Sequence, residues 1–189
     1  MKASLCIVGS QSPRRQNILK IMGFPFEVRV SNADESYPQE MPLHEIAEYL
    51  AAKKADVLKE GLKAGEILVT ADSTVLCNGK IYNKPAAYEE AVQMLRELSG
   101  KKHEVVTGVW IGDKHSHESF SISTFVEFSQ LDADEIHYYV SNHHPYDKAG
   151  GYGIQDWIGT THVKSIQGSY TNVMGLPSSE VYERLKKYF

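Results

Sequence analysis

The stretch Leu5-Cys6-Ile7-Val8-Gly9-Ser10-Gln11-Ser12-Pro13-Arg14-Arg15 decides the fold class. Four apolar residues, a short polar loop, then a proline and two arginines read as a buried strand turning into a helix. Pro13 suits the first helical position, where its missing N–H costs nothing, and Ser12 stands at the N-cap. Ile18, Leu19, Ile21 and Met22 are spaced to share one face of that helix, and Gly23 stops it. The loop also suits an anion. The hydroxyls of Ser10 and Ser12, the guanidinium groups of Arg14 and Arg15 and the open N–H groups of a helix start all favour negative charge. A capped helix with two solvated arginines is the plainer account of the same residues. The strand, loop and cap ahead of the pair favour phosphate.

Outward from this stretch, strand and helix patterns alternate. Phe24 to Val30 reads as a strand, followed by a polar segment from Ser31 to Glu40 that contains Asp34-Glu35. A helix is expected over about Leu43–Lys59, with an apolar stripe of Leu43, Ile46, Ala47, Leu50, Ala51, Val57 and Leu58. Lys54 falls on that stripe. Its stem lies along the core edge with the amine reaching water, or the amine points into a cleft; periodicity leaves both open. Ile67 to Ala71 reads as a buried strand ending at Asp72-Ser73-Thr74. A carboxylate just past a central strand is where open α/β sheets place ligand chemistry.

Val75 to Cys77, Asn78-Gly79 and Lys80 to Tyr82 form a hairpin pattern with a type I′ turn, closed by Asn83-Lys84-Pro85. A helix over Tyr88–Leu98 follows, stopped at Gly100. Strands are expected over His103–Ile111 and Ser119–Phe128, joined by a polar turn. Asp132 caps a helix running through Tyr139, with Glu135 in the capping-box position. Next comes a loop, His144 to Gln155, in which Gly150, Gly151 and Gly153 would let the backbone approach a ligand and Lys148 adds a cation. A strand over Thr161–Ile166 and a helix over Ser178–Tyr188, with Val181, Tyr182 and Leu185 inward, complete the chain. The expected architecture is α/β: a mixed twisted sheet flanked by helices, one domain over residues 1–189, with two lobes and a groove between them.

The 189 residues carry a net charge of −4, with 42% hydrophobic and 23% charged residues. That excludes a wholly basic nucleic-acid or membrane surface, so any polyanion must meet a local cationic cluster. The two cysteines, Cys6 and Cys77, lie in apolar runs and make no disulfide framework, which reads as a reducing cytosol. The lead Met1-Lys2-Ala3-Ser4 runs straight into a strand, so neither a signal peptide nor a membrane span is expected.

The unusual polar positions are Arg14, Arg15, Lys54, Lys84 and Lys148 as cations and Glu35 and Asp72 as carboxylates. Five cations at element ends suit adjacent phosphates. Two carboxylates in the same place would repel such a ligand unless a divalent metal, Mg²⁺ or Mn²⁺, came between them. One of them could also deprotonate a water for attack on phosphorus. No GxxxxGK[ST] element is present, so this is not a P-loop site. His115, His117, His143 and His144 lie in polar turns without partners at zinc-like spacing and read as solvated.

Seven motifs, in order, resemble the Maf family of nucleoside triphosphate pyrophosphatases over nearly the whole chain. They are Ser10-x-Ser12-Pro13-Arg14-Arg15, Leu50-Ala51-x-x-Lys54-Ala55, Ala71-Asp72-Ser73, Lys84-Pro85, Leu98-Ser99-Gly100-x-x-His103-x-Val105-x-Thr107-Gly108, Asp147-Lys148-Ala149-Gly150-x-Tyr152-Gly153-Ile154-Gln155, and Gly168-Ser169-Tyr170-x-Asn172-Val173-x-Gly175-Leu176-Pro177. The resemblance implies a cytoplasmic, generally dimeric enzyme of elongated α/β fold with a deep groove. It would cleave a nucleoside triphosphate to monophosphate and pyrophosphate with a divalent cation. By position, Asp72 resembles the catalytic proton acceptor and Glu35 its acidic companion at the metal. Ser10, Ser12, Arg15, Lys54, Lys84 and Lys148 resemble the phosphate-side residues, Lys54 and Lys84 close to the chemistry.

Arg14, Ser73 and Gln155 occupy the positions associated with substrate choice. Their pattern is similar to the branch acting on dTTP, UTP and modified pyrimidine triphosphates, although that branch usually carries threonine where this chain has Ser73. Gly9 and Asn83 are also unusual. The rivals are a relative preferring 7-methyl-GTP or a purine nucleotide, and a nucleotide- or nucleic-acid-binding regulator of cell division and septum formation. The acidic charge argues against a nucleic-acid partner.

Overall fold

The computed structural model describes residues 3–189, so Met1 and Lys2 of the N-terminal lead lie outside it. The elements run β1 (Leu5–Val8), α1 (Pro13–Met22), β2 (Phe26–Val28), α2 (Ile46–Leu58), β3 (Glu66–Cys77), β4 (Lys80–Tyr82), α3 (Tyr88–Leu98), β5 (Lys102–Gly112) and β6 (His117–Phe128). They continue with α4 (Ala133–His143), α5 (Trp157–Thr161), β7 (Val163–Gln167), α6 (Tyr170–Val173) and α7 (Ser178–Leu185). The sheet is mixed and seven-stranded, in the order β2-β1-β3-β5-β6-β7, with β4 paired to β3. Parallel pairs join β1 to β2 and to β3, while β4 on β3 and β7 on β6 are antiparallel. The fold class is therefore α/β with a mixed sheet.

The chain forms two compact units. One comprises residues 1–72, 107–122 and 175–189, and the other residues 73–106 and 123–174. In the first, Ile7 and Leu68 from neighbouring strands, Trp110, Ala55 of α2 and Leu62 make one buried cluster. Helices α1 and α7 pack together beside it, with Phe24 against Tyr182 and Phe189. In the second unit α3 packs on α4, burying Ala91, Val92, Leu95 and Leu98 of one and Ile136, Tyr139 and Val140 of the other. No helix among the described residues is long and apolar enough to cross a membrane.

Several expected boundaries shift, each for a local reason. The largest change concerns β3, which runs unbroken through Asp72-Ser73-Thr74, where the polar triplet reads as a strand end. Its place in the sheet explains this: on one edge β1 holds Glu66–Val69 and β4 holds Val75–Cys77, and β5 is its neighbour on the other. The carboxylate thus sits in mid-strand, among the five residues between the β1 and β4 registers. Ile21 is 76% exposed and Val57 56% exposed, so neither belongs to the buried face that its spacing implied. Tyr182 is likewise exposed. Helix α2 begins at Ile46 rather than Leu43, and α7 ends at Leu185 rather than Tyr188. Helix α4 extends past Tyr139 to His143, so His143 and His144 form a helix end and its left-handed cap, not a free turn. The Asp132/Glu135 capping box is present as expected. So is the hairpin turn, with Asn78 and Gly79 both at positive φ.

Candidate functional site

In the first unit the site begins with the loop between β1 and α1. Ser12 occupies the N-cap position but its side chain makes no capping bond. Instead, the Ser10 hydroxyl organises the turn: Oγ accepts from the Ser12 N–H at 3.2 Å and from Arg15 Nη1 at 3.3 Å. With its lone pairs engaged, the hydroxyl keeps its own proton to donate to an acceptor such as a phosphate oxygen. The Gln16 side-chain amide donates to the carbonyls of Ser10 and Gln11, both at 3.3 Å, and so clamps the loop from behind. Arg15 Nε donates to the Gly175 carbonyl at 2.6 Å, which fixes the guanidinium.

Gly9, unexplained by sequence, has a steric cause. A Cβ there would lie 2.5 Å from Thr70 Cγ2 and 2.9 Å from Leu58 Cδ1. The Gly9 N–H donates to the Val69 carbonyl at 2.8 Å, and Thr70 Oγ1 donates to the Ala51 carbonyl at 2.7 Å. Loop, strand β3 and helix α2 therefore meet too closely for any side chain at position 9.

That close approach brings Lys54 to Asp72. Lys54 is buried on α2, and its Nζ lies 2.9 Å from Glu35 Oε1 and 3.4 Å from Asp72 Oδ2. The Lys54 amine is therefore buried against two carboxylates and does not snorkel to water. The Asp72 side chain is only 9% exposed and that of Glu35 49% exposed, so a buried and an open carboxylate share one ammonium. Lys53 secures the Glu35 segment from the next helix position, bonding Asp34 Oδ2 at 3.3 Å and the Ser36 carbonyl at 2.9 Å. Burial lowers the pKa of Arg15, while the charges of Asp72 and Glu35 oppose that shift and Arg14 adds to it. Arg15 thus sits in the field of the same two carboxylates.

The second unit holds the remaining predicted residues. Ser73 is half-buried in β3, while Lys84 and Gln155 are exposed. The Asn83 carbonyl accepts from the Gly150 N–H at 3.1 Å, joining the segments that carry Lys84 and Lys148. Lys148 Nζ lies 2.7 Å from Asp147 Oδ1 and 3.7 Å from Asp156 Oδ2. Asp156 Oδ2 also accepts from the Tyr139 hydroxyl at 2.8 Å, and that hydroxyl accepts from the Gly153 N–H at 2.9 Å. Two glycines of this loop have a packing cause of their own. A Cβ on Gly150, at φ 73°, would press on Val75 at 3.0 Å, and one on Gly153 would strike the Asp156 carboxylate at 2.5 Å. Beneath the loop the buried His103 Nε2 bonds the Tyr152 hydroxyl at 2.7 Å, with Phe128 against both rings.

Sequence reasoning missed Gln16, Lys53, Tyr139 and Asp156. The pairing of Asp34-Glu35 with Lys53-Lys54 carried a signal, since two adjacent acids face two adjacent bases. Asp156, just before Trp157, gave only a helix-cap hint.

Glu35 and Asp72 present hard oxygen donors around one cationic centre, the donor type that Mg²⁺ and Mn²⁺ take. Among the described residues no group of three His, Cys, Asp or Glu side chains gathers as a complete metal cage. Two carboxylates fit a divalent ion whose other ligands are water and phosphate oxygens.

The Maf-like protein family profile matches residues 6–188. The dTTP/UTP pyrophosphatase of Bacteroides thetaiotaomicron is 46% identical over 96% of this chain and 94% of its own length. That of Parabacteroides distasonis is 45% identical over 100% and 98%. Among solved structures, the Staphylococcus aureus Ham1 protein gives a TM-score of 0.48 at 14% identity, over 66% of this chain and 71% of that one.

Proposed function

Since the chain belongs to the Maf-like protein family, we infer that it hydrolyses nucleoside triphosphates, dTTP and UTP foremost, to the monophosphate and pyrophosphate. The observation that carries this reading is identity of 41–46% over nearly the full length to proteins named dTTP/UTP pyrophosphatase. The Lys54–Glu35–Asp72 group supports it with suitable chemistry.

In this reading a water oxygen attacks the α-phosphorus, and the bond from that phosphorus to the oxygen bridging it to the β-phosphorus breaks. The water proton passes to the Asp72 carboxylate. Charge developing on the departing pyrophosphate is met by Lys54, Lys84 and Arg15 and by the hydroxyls of Ser10 and Ser12, while Lys148 grips the phosphates equally before and during the step. Arg15 arrives pre-aimed, because its Nε is already bonded to Gly175 and no reorganisation is needed at the moment of reaction. A divalent cation, held by Glu35 and Asp72 together with phosphate oxygens, would supply Lewis-acid charge stabilisation when bound. Arg14, Ser73 and Gln155 take the base end, where Ser73 keeps the hydroxyl and drops the methyl of the usual threonine. The same reading makes the protein a cytoplasmic homodimer engaged in clearing the nucleotide pool.

The test is release of pyrophosphate and monophosphate from a panel of triphosphates by the wild-type protein and by Asp72→Asn. dTTP and UTP should be the preferred substrates, and Asp72→Asn should lose about 10²- to 10⁴-fold in kcat while melting near the wild-type temperature. A 7-methyl-GTP or purine preference, or turnover undiminished in Asp72→Asn, would overturn the reading.

A further inference from the structure

The position of Lys54 conflicts with simple metal binding. Its ammonium occupies the space next to both carboxylates that a divalent cation would take, at 2.9 Å from Glu35 and 3.4 Å from Asp72. Lys54 and Asp72 side chains are 11% and 9% exposed, so water and salt screen their charges weakly. The two carboxylates are matched by the Lys54 ammonium and the Arg15 guanidinium, and Arg14 adds a further positive charge to the same field, so these groups offer little attraction to a free cation. A triphosphate changes that balance. It brings a surplus of negative charge, and its oxygens accept N–H donors as the carboxylates do.

We propose that Lys54 holds the place of the divalent ion in the nucleotide-free protein, so that the ion enters with the triphosphate and not before it. This rests on the hydrolysis reading above, with Glu35 and Asp72 as the metal-side residues. When nucleotide binds, the Lys54 ammonium turns to the phosphates and frees the carboxylate oxygens. The order of binding follows from charge alone. It also keeps the site from holding a hydrated metal with no substrate present.

The measurement is Mn²⁺ affinity, read from the electron paramagnetic resonance signal of the free ion. It is made with and without a dTTP analogue carrying a methylene bridge between the α- and β-phosphorus. Wild-type protein should bind Mn²⁺ weakly alone and, once the Mn²⁺ held by the analogue without protein is subtracted, at least about tenfold more tightly with the analogue. Lys54→Met removes the ammonium but keeps the stem, and should bind Mn²⁺ alone at least about tenfold more tightly than wild type. Lys54→Arg keeps the charge and should behave as wild type.

Should Lys54→Met fail to show a cooperative thermal transition, Lys54→Gln carries the same expectation. The proposal is overturned if the neutral variants bind Mn²⁺ alone no better than wild type. It is also overturned if wild type binds Mn²⁺ as tightly without the analogue as with it. If no variant and no wild-type sample binds Mn²⁺ even with the analogue, the metal reading itself falls and takes the proposal with it, a pattern distinct from either result.

Discussion

Each compact unit sets a lysine ammonium between two carboxylates. In the first, Lys54 stands between Glu35 and Asp72; in the second, Lys148 stands between Asp147 and Asp156. The chemistry is the same, but the supports differ. Asp72 is delivered by the middle of a long strand and is nearly buried, while Asp156 sits at the start of a short helix with the Tyr139 hydroxyl already on its oxygen. Lys54 rides a thirteen-residue helix, whereas Lys148 lies between two short turns. A lysine held by rigid elements against a buried acid is suited to the chemical step. One held by a loop network is suited to gripping a ligand.

The largest effect should separate the two lysines directly. Lys54→Met is expected to lower kcat for dTTP by about 10²- to 10³-fold. Lys148→Met should instead raise KM about tenfold and leave kcat near wild type. Equal losses of kcat would erase the distinction. A smaller effect should come from Tyr139→Phe, which strips a donor from Asp156 and an acceptor from the Gly153 N–H at one stroke. Urea unfolding should show a loss of about 1–3 kcal/mol, and the KM for dTTP should rise a few-fold as Lys148 loosens. An unchanged KM would make Tyr139 a stability residue only.

The same contrast explains what was legible in the sequence. Local patterns spoke clearly where local forces decide: the β1 strand and Pro13 helix start, the Asn78-Gly79 turn, the α3 boundaries and the Asp132 capping box all appear where the residues place them. The course of β3 was not legible, because Asp72-Ser73-Thr74 is polar and the strand continues there through its place in the sheet, between β1 and β4 on one edge and β5 on the other. Ile21 and Val57 show the opposite error, since spacing reports a shared face and not whether anything covers it. Lys54 was left between two accounts because only the fold brings residues 35 and 72 to it. Gly9 could not be explained until Thr70 and Leu58 were seen against it. The packing need of Gly150 and Gly153 was not legible either, because a glycine required by a neighbouring side chain looks the same in sequence as one required by a substrate.

The smallest expected effect concerns the anchor beneath the Lys148 loop. Burial pushes the His103 imidazole down to about 4, while its Nε2 holds the Tyr152 hydroxyl of that loop. An exposed histidine in the unfolded chain protonates near 6.5, so between that pH and about 4 unfolding takes up a proton that the native state refuses. Stability from this group is therefore complete above about pH 6.5 and is lost progressively as the pH falls toward 4. His103→Gln keeps a polar partner for Tyr152 but cannot titrate. It should melt a few degrees below wild type at neutral pH and decline less steeply on acidification from pH 6.5 to 4. The His103 side chain bonds Tyr152 of its own unit, so the Asp72-dependent rate per folded molecule should follow wild type at neutral pH. Parallel stability slopes for the two proteins would place the acid sensitivity elsewhere. A fall in kcat rather than a rise in KM would mean that the loop serves the chemical step after all, and that the two lysines share one task.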